Sequence, residues 1–152
     1  MAKSVGKKIL VLSGPNLNLL GQREPEIYGT DSLKDHMRRV DETAKQFGFT
    51  TEKVSAQSAG ELVTAIHSAR NTCDAIIINP GALTHFAWSI HDALASFKGP
   101  IIEVHLSNPA TRESWRHESV VAPVASGTIA GFGADSYVFA VHAAVTLLAK
   151  KK

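Results

Sequence analysis

Three groups of polar side chains could do chemistry together if one fold brought them to one place. The first lies in Ser13–Gly29, SGPNLNLLGQREPEIYG, and contains Asn16, Arg23 and Tyr28. A guanidinium near a phenol favours the phenolate, so Tyr28 beside Arg23 is suited to take a proton. The second is Asn79, Thr84 and His85, around the turn residues Pro80-Gly81. The third is Glu103, His105, Ser107 and Asn108. Glu103 and His105 are two apart, so on a strand they share a face. A carboxylate beside an imidazole fixes its tautomer and favours its protonated form, so such a histidine is suited to give a proton. Each group also has a bland account. Tyr28 near Arg23 is a common surface pair, Asn79-Pro80-Gly81 can be a mere turn, His85 can start a helix facing water, and Glu103 with His105 can be structural.

What decides between these accounts is the set of elements that carries the groups. Lys8–Leu12 reads as a buried strand, and Asp31 or Ser32 can cap a helix striped by Leu33, Met37, Val40, Ala44 and Phe47 and ended by Gly48. Residues 49–54 form a weakly patterned strand suited to a sheet edge. Ser58 starts a helix with Leu62, Ala65, Ile66 and Ala69 on one face. Ala75–Ile78 is a short apolar strand, and Asn79–Thr84 a Gly/Pro loop. A helix striped by Phe86, Ile90, Leu94 and Phe97 stops at Gly99-Pro100. Ile101–Leu106 is the fourth strand, and Ser107–Pro123 is irregular with a helical turn near Arg112–Trp115. Gly127–Ala130 is a fifth strand, and Asp135 or Ser136 caps a last helix striped by Val138, Val141, Val145 and Leu148.

Strands alternating with helices imply a parallel sheet covered on both faces. Five strands in this length suggest an α/β, flavodoxin-like doubly wound sheet of order 2-1-3-4-5. No linker, repeat or low-complexity tract interrupts the chain, so residues 1–152 are expected to form a single domain. Ligands of such sheets bind beyond the carboxyl ends of the strands, where strands one and three diverge. The three polar groups all fall there. The loop after strand one carries enough apolar residues (Leu17, Leu19, Leu20 and Ile27) to pack in part, leaving Gly21–Gly29 to act as a lid.

Composition narrows the function. The 152 residues are 44% hydrophobic and 20% charged with net charge +2, a soluble globular balance. Several positive charges are terminal (Lys3, Lys7, Lys8 and Lys150–Lys152) and are expected to keep the ends solvated. A nucleic-acid binder would show a basic stripe with interleaved aromatics, and none is present. No apolar run reaches membrane-spanning length, and the start lacks a signal peptide's apolar stretch. Cys73 is alone, so a reducing, cytoplasmic setting is expected, with Cys73 a core filler. Pro15-Asn16-Leu17-Asn18-Leu19 is not a Ser/Thr/Gly phosphate loop. Gly131-Phe132-Gly133 lacks the third glycine of a dinucleotide fingerprint and no βαβ unit follows. There is no nucleophile elbow. The seven histidines include no HExxH, which speaks against a metal. No lysine lies in the three loops, which speaks against a Schiff base.

Gly14-Pro15-Asn16-Leu17-Asn18, Arg23-Glu24-Pro25, Tyr28-Gly29, Asn79-Pro80-Gly81-Ala82, Thr84-His85, Ile102–Asn108, Arg112-Glu113 and Arg116-His117 resemble the signatures of the type II 3-dehydroquinate dehydratases. The likeness runs in order along nearly the whole chain. It implies a flavodoxin-like, cofactor-free and metal-free enzyme that dehydrates 3-dehydroquinate to 3-dehydroshikimate in the shikimate or quinate pathway. It implies Tyr28 as the base, Arg23 holding it as phenolate, His105 as the acid supported by Glu103, and Asn16 stabilising an enolate through water. It implies that Asn79, His85, Arg116, and Leu106 and Ser107 through backbone N–H, hold the carboxylate and hydroxyls. Asp92 matches a position that reaches a neighbouring subunit's site in a homododecamer built from trimers. Ser13, Leu83, His91 and Ala110 depart from the pattern, and none is the base or acid. Such a reaction needs a base, an acid and enolate stabilisation but no redox cofactor. The competing account, carried by fold alone, is a non-catalytic binding module for a small carboxylate or phosphate.

Overall fold

The structure is a computed structural model and describes residues 7–150; Lys3, Lys151 and Lys152, three of the lysines expected to solvate the ends, lie outside them. The run Ile9–Leu12 offers no polar side chain to water, and it forms β1 (Lys8–Ser13), buried from Ile9 onward. β3 (Ala75–Asn79) is buried throughout, and β4 (Ile101–His105) is buried up to His105. The half-exposed β2 (Thr50–Ser55) and β5 (Gly127–Ala130) lie at the edges. All neighbours pair in parallel in the order β2-β1-β3-β4-β5, the order that the sequence predicts.

Successive strand residues face opposite sides, so the sheet divides the core. Ile9, Val11, Ile77, Ile102 and Val104 meet Val40 and Ala44 of α2 (Leu33–Gln46) and Tyr137, Val141 and Ala144 of α5 (Ser136–Ala149). Leu10, Leu12, Ile76 and Ile78 meet Leu62 and Ile66 of α3 (Ala59–Ala69) and Ile90 and Leu94 of α4 (Trp88–Ala95). A single helical turn, α1 (Pro25–Tyr28), lies in the loop after β1. No helix among the described residues is long and apolar enough to cross a membrane.

Local signals set the boundaries. Ser32 Oγ accepts the Asp35 N–H while the Asp35 carboxylate accepts the Ser32 N–H, a capping box that satisfies two orphan donors. Ser58 Oγ accepts the Glu61 N–H at the start of α3. Two predicted stripes shift. Gly81–His85 is a 3₁₀ turn ended by Phe86, which is 63% exposed, so α4 starts only at Trp88. Gly81 adopts φ +60 and begins a tighter coil than an α-helix, which displaces Phe86 from the buried stripe. In α5 the buried face is Tyr137, Ala140, Val141 and Ala144, with Val138 at its margin. The Tyr137 hydroxyl turns inward to meet Ser13 Oγ at 3.2 Å.

α2 buries two polar residues that periodicity does not reveal: Thr43, whose hydroxyl donates to the Arg39 carbonyl at 2.7 Å, and His36. His36 is 1% exposed, its ring lies 5.6 Å from that of Tyr137, and neither ring nitrogen has a hydrogen-bond partner. Burial pushes its pKa below the ordinary 6.5; Asp31 opposes that shift, Arg39 adds to it, and Asp35 opposes it. The folded state thus keeps His36 neutral while the unfolded chain takes up a proton, so stability falls as pH drops below 6.5. His36→Leu is expected to raise stability by roughly 1–3 kcal/mol, the cost of unpaired buried polar groups. It should also flatten the loss between about pH 7.5 and about pH 5.5, a window above the carboxylate range. Urea denaturation at both pH values checks this; an unchanged slope in the variant would place the acid sensitivity elsewhere.

Candidate active site

Two turns at the carboxyl ends of β1 and β3 touch without side chains between them. A Cβ on Gly14 would lie 2.5 Å from the Pro80 carbonyl oxygen, closer than any real contact. Glycine therefore lets the loops meet, and the Gly14 N–H donates to the Asn79 carbonyl at 2.8 Å. Next in the chain, Asn16 adopts φ 71, and its backbone N–H donates to Gln57 Oε1 at 3.0 Å. Leu17 and Leu20 pack into the core and anchor the start of the loop, whereas Leu19 stays exposed. Asn79 is buried, with Oδ1 accepting the Gly81 N–H at 3.2 Å.

α1 carries Tyr28 over the ends of the strands. The guanidinium that reaches its oxygen is that of Arg112, whose Nη1 donates to Tyr28 Oη at 2.8 Å and to Ser107 Oγ at 3.2 Å. Arg23, the expected partner, stands 5.7 Å from the ring centroid and pairs with Glu24 at 3.3 Å. Glu24 takes φ 40 just before α1, which leaves Arg23 on the preceding, exposed stretch of loop. Arg112 lies on the loop after β4, 84 residues beyond Tyr28. Arg112-Glu113 is one of the blocks that carry the family resemblance, but nothing in its spacing ties Arg112 to Tyr28.

β4 presents His105 to the same crevice. Its Nε2 lies 2.5 Å from Glu103 Oε2, which leaves Nδ1 for the crevice. Glu103 is 1% exposed and is surrounded by donors. Thr84 Oγ1 donates to Oε2 at 2.5 Å, and Ser119 Oγ lies 2.9 and 3.0 Å from the two carboxylate oxygens. Burial pushes the Glu103 pKa up, but the hydrogen bonds and charge of His105, with those of Thr84 and Ser119, outweigh it and hold the carboxyl below its ordinary value. His85 Nδ1–H donates to the Glu118 carbonyl at 2.6 Å, and the His85 ring meets Trp115 edge-on at 5.3 Å. Arg116 stacks on Trp115 at 4.0 Å and pairs with Glu113 at 2.7 Å.

Together these side chains enclose a crevice of about 210 Å³. The loops after β1 and β3 contribute Asn16, Arg23, Tyr28 and His85 to its lining, with Asn79 at the end of β3, and β4 and the loop after it contribute His105, Leu106, Ser107, Arg112 and Arg116. Glu103 stands behind His105, out of the crevice. Asp92 is exposed on α4 and does not line it. A phenol, an imidazole and a set of amide and guanidinium donors thus converge, and the lining contains no lysine. Among the described residues no group of three or more His, Cys, Asp or Glu could hold a metal.

Residues 7–145 match the family described as dehydroquinase class II. The chain belongs to this family. It is 48% identical to a 3-dehydroquinate dehydratase of Caldicellulosiruptor bescii over 93% of this chain and 99% of that one. It is 50% identical to a 3-dehydroquinate dehydratase of Dictyoglomus turgidum over 90% of this chain and 94% of the relative. The solved type II dehydroquinase of Propionibacterium acnes superposes with TM-score 0.88 at 43% identity, over 92% of this chain and 97% of that one. Against the dehydroquinase pattern, the departures have local accounts. Ser13 pairs with Tyr137, His91 Nδ1–H donates to the Val120 carbonyl at 2.6 Å, and Leu83 packs against the α3/α4 core. Nothing in the structure explains Ala110. Burial pushes the half-buried Cys73 thiol up, which suits a packing residue rather than a nucleophile.

Proposed function

We infer that this chain is a type II 3-dehydroquinate dehydratase, a lyase that converts 3-dehydroquinate to 3-dehydroshikimate in the crevice between Tyr28 and His105. The observation that supports the assignment of roles is the presence of two hydrogen-bonded pairs at one cavity: Tyr28 Oη held by Arg112 at 2.8 Å and His105 held by buried Glu103 at 2.5 Å. Tyr28 as phenolate removes a proton beside the ketone. The Arg112 donor stabilises negative charge on its oxygen, and Arg23 adds positive charge when the loop closes. The electron pair moves onto the ketone oxygen as an enolate, which Asn16 stabilises through water. Collapse of the enolate expels the β-hydroxyl, to which His105 gives a proton; Glu103 supports the imidazolium. Asn79, His85, Ser107, the Leu106 and Ser107 backbone, and Arg116 hold the substrate's carboxylate and hydroxyls.

The subunit is also expected to work in a homododecamer of trimers, in the cytoplasm. Support for assembly comes from Asp92, which is exposed and outside its own crevice, and from Phe86, Trp88 and Phe132, each more than half exposed. One experiment tests both parts. Protein sized by light scattering is mixed with 3-dehydroquinate, and the conjugated enone's ultraviolet absorbance is followed. Turnover is expected from a large assembly, and it should survive a chelator and survive borohydride added with substrate. No absorbance would leave a binding module. Inactivation by borohydride with an adduct on lysine would replace the enolate route by an imine. A fully active monomer would remove the assembly.

A further inference from the structure

We propose that Ser119 is a positioning residue that decides where the proton of the Glu103–His105 pair sits. This rests on His105 being the acid described above. Ser119 is not held loosely. On one side of it the Glu118 carbonyl accepts from His85 at 2.6 Å. On the other, the Val120 N–H donates to the Thr84 carbonyl at 2.7 Å, and the Val120 carbonyl accepts from His91 at 2.6 Å. The hydroxyl between them has five polar neighbours: the Val121 N–H at 3.1 Å, the Ala122 N–H at 2.9 Å, both Glu103 oxygens, and Thr84 Oγ1 at 2.8 Å.

A serine hydroxyl has two lone pairs and one proton. Backbone N–H groups can only donate, so Val121 and Ala122 occupy both lone pairs. Ser119 can therefore act toward the cluster only as a donor. Thr84 cannot donate to it, which sends the Thr84 proton to Glu103 Oε2 at 2.5 Å. Were Glu103 to carry a proton itself, its oxygens would accept more weakly from Thr84 and Ser119, so both hydroxyl donors favour the carboxylate. The remaining neighbour, His105 Nε2, is then the group that carries the shared proton: Glu103 stays a carboxylate although buried, and Nδ1 is the nitrogen that faces substrate. Ser119 touches no reacting atom and acts through the pair.

Replacing Ser119 by alanine removes one donor from Glu103, which raises its affinity for the proton and lowers that of His105. Ser119→Ala is expected to lower kcat on 3-dehydroquinate by roughly 10- to 100-fold, the range for residues that orient a catalytic group. KM should change little, and the alkaline limb of the kcat profile should move to lower pH. Ser119→Thr, which keeps the hydroxyl, should restore both. Nitrogen-15 NMR of histidine-labelled protein without substrate gives a readout independent of turnover. Neutral His105 should be the Nε2–H tautomer in the wild type and a mixture in Ser119→Ala. If the alanine variant does not fold, Ser119→Cys, a weaker donor, should shift the limb and the tautomer in the same direction by less. An unmoved alkaline limb and tautomer in a variant that is merely less stable overturns the proposal and leaves Ser119 a turn cap. Absence of turnover in the wild type would instead strike the assigned reaction, while the tautomer would still decide Ser119.

Discussion

Tyr28→Phe is expected to bind substrate and to lose kcat by at least about 10²–10⁴, the contribution of a positioned general base. The substitution removes one oxygen and keeps the ring that packs over the crevice. The roles of the two arginines separate in the same experiment. Arg112 places a donor 2.8 Å from Tyr28 Oη and also holds Ser107. Arg112→Gln should therefore lower kcat and weaken binding together. Arg23 is occupied with Glu24 at 3.3 Å, in a segment bounded by Gly21 and Gly29, both at positive φ. These glycines can absorb a rotation of the loop, and closure over substrate would bring Arg23 toward the phenol. Arg23→Gln should lower kcat with less effect on KM. Residual activity of Arg112→Gln, which loses the guanidinium on Tyr28 Oη, should rise with pH, and that of Arg23→Gln, which keeps it, should rise less. Stopped-flow and steady-state absorbance measure these values. A Tyr28→Phe enzyme that keeps most of kcat and changes only KM would reduce Tyr28 to a packing surface.

Much of this was legible in the chain because it rests on local rules. The apolar runs at Ile9 and Ile76 read as buried strands, and the weakly patterned TTEKVS run suited an edge, where it lies. From that order alone, the loops bearing Tyr28, His85 and His105 had to meet. The i, i+2 spacing of Glu103 and His105 placed them on one face, where they now touch. What stayed hidden depends on contacts between distant segments. Arg112 and Ser119 lie in an irregular stretch without periodicity, and each earns its role only when that stretch folds back onto β4. His36 was hidden for the opposite reason. It sits among apolar residues of a regular helix, and a polar type on a buried face leaves no trace in spacing. Phe86 misled because its spacing suits a helix that the left-handed Gly81 delays.

Glu103→Gln is expected to be the most costly isosteric change in the protein. The side chain keeps its shape, but three donors, from Thr84, Ser119 and His105, then face an amide with one acceptor oxygen and two N–H groups of its own. At least one buried donor loses its partner, which costs roughly 1–3 kcal/mol of stability. The imidazolium of His105 loses its counter-charge as well, so kcat should fall by roughly the 10²–10⁴ of general acid catalysis. The pH dependence has a definite sign. The folded Glu103 carboxyl is held below the ordinary 4.5, so its stabilising contribution is present above 4.5 and disappears as pH falls through the folded value. The stability gap between wild type and Glu103→Gln should therefore be widest near neutrality and close on acidification. Groups that act as a unit are not additive, so His105→Ala combined with Glu103→Gln should be no slower than His105→Ala alone. Turnover rates and urea midpoints for the three variants decide the matter. A double variant slower by the product of the two single effects would mean that Glu103 acts on the reaction independently of His105.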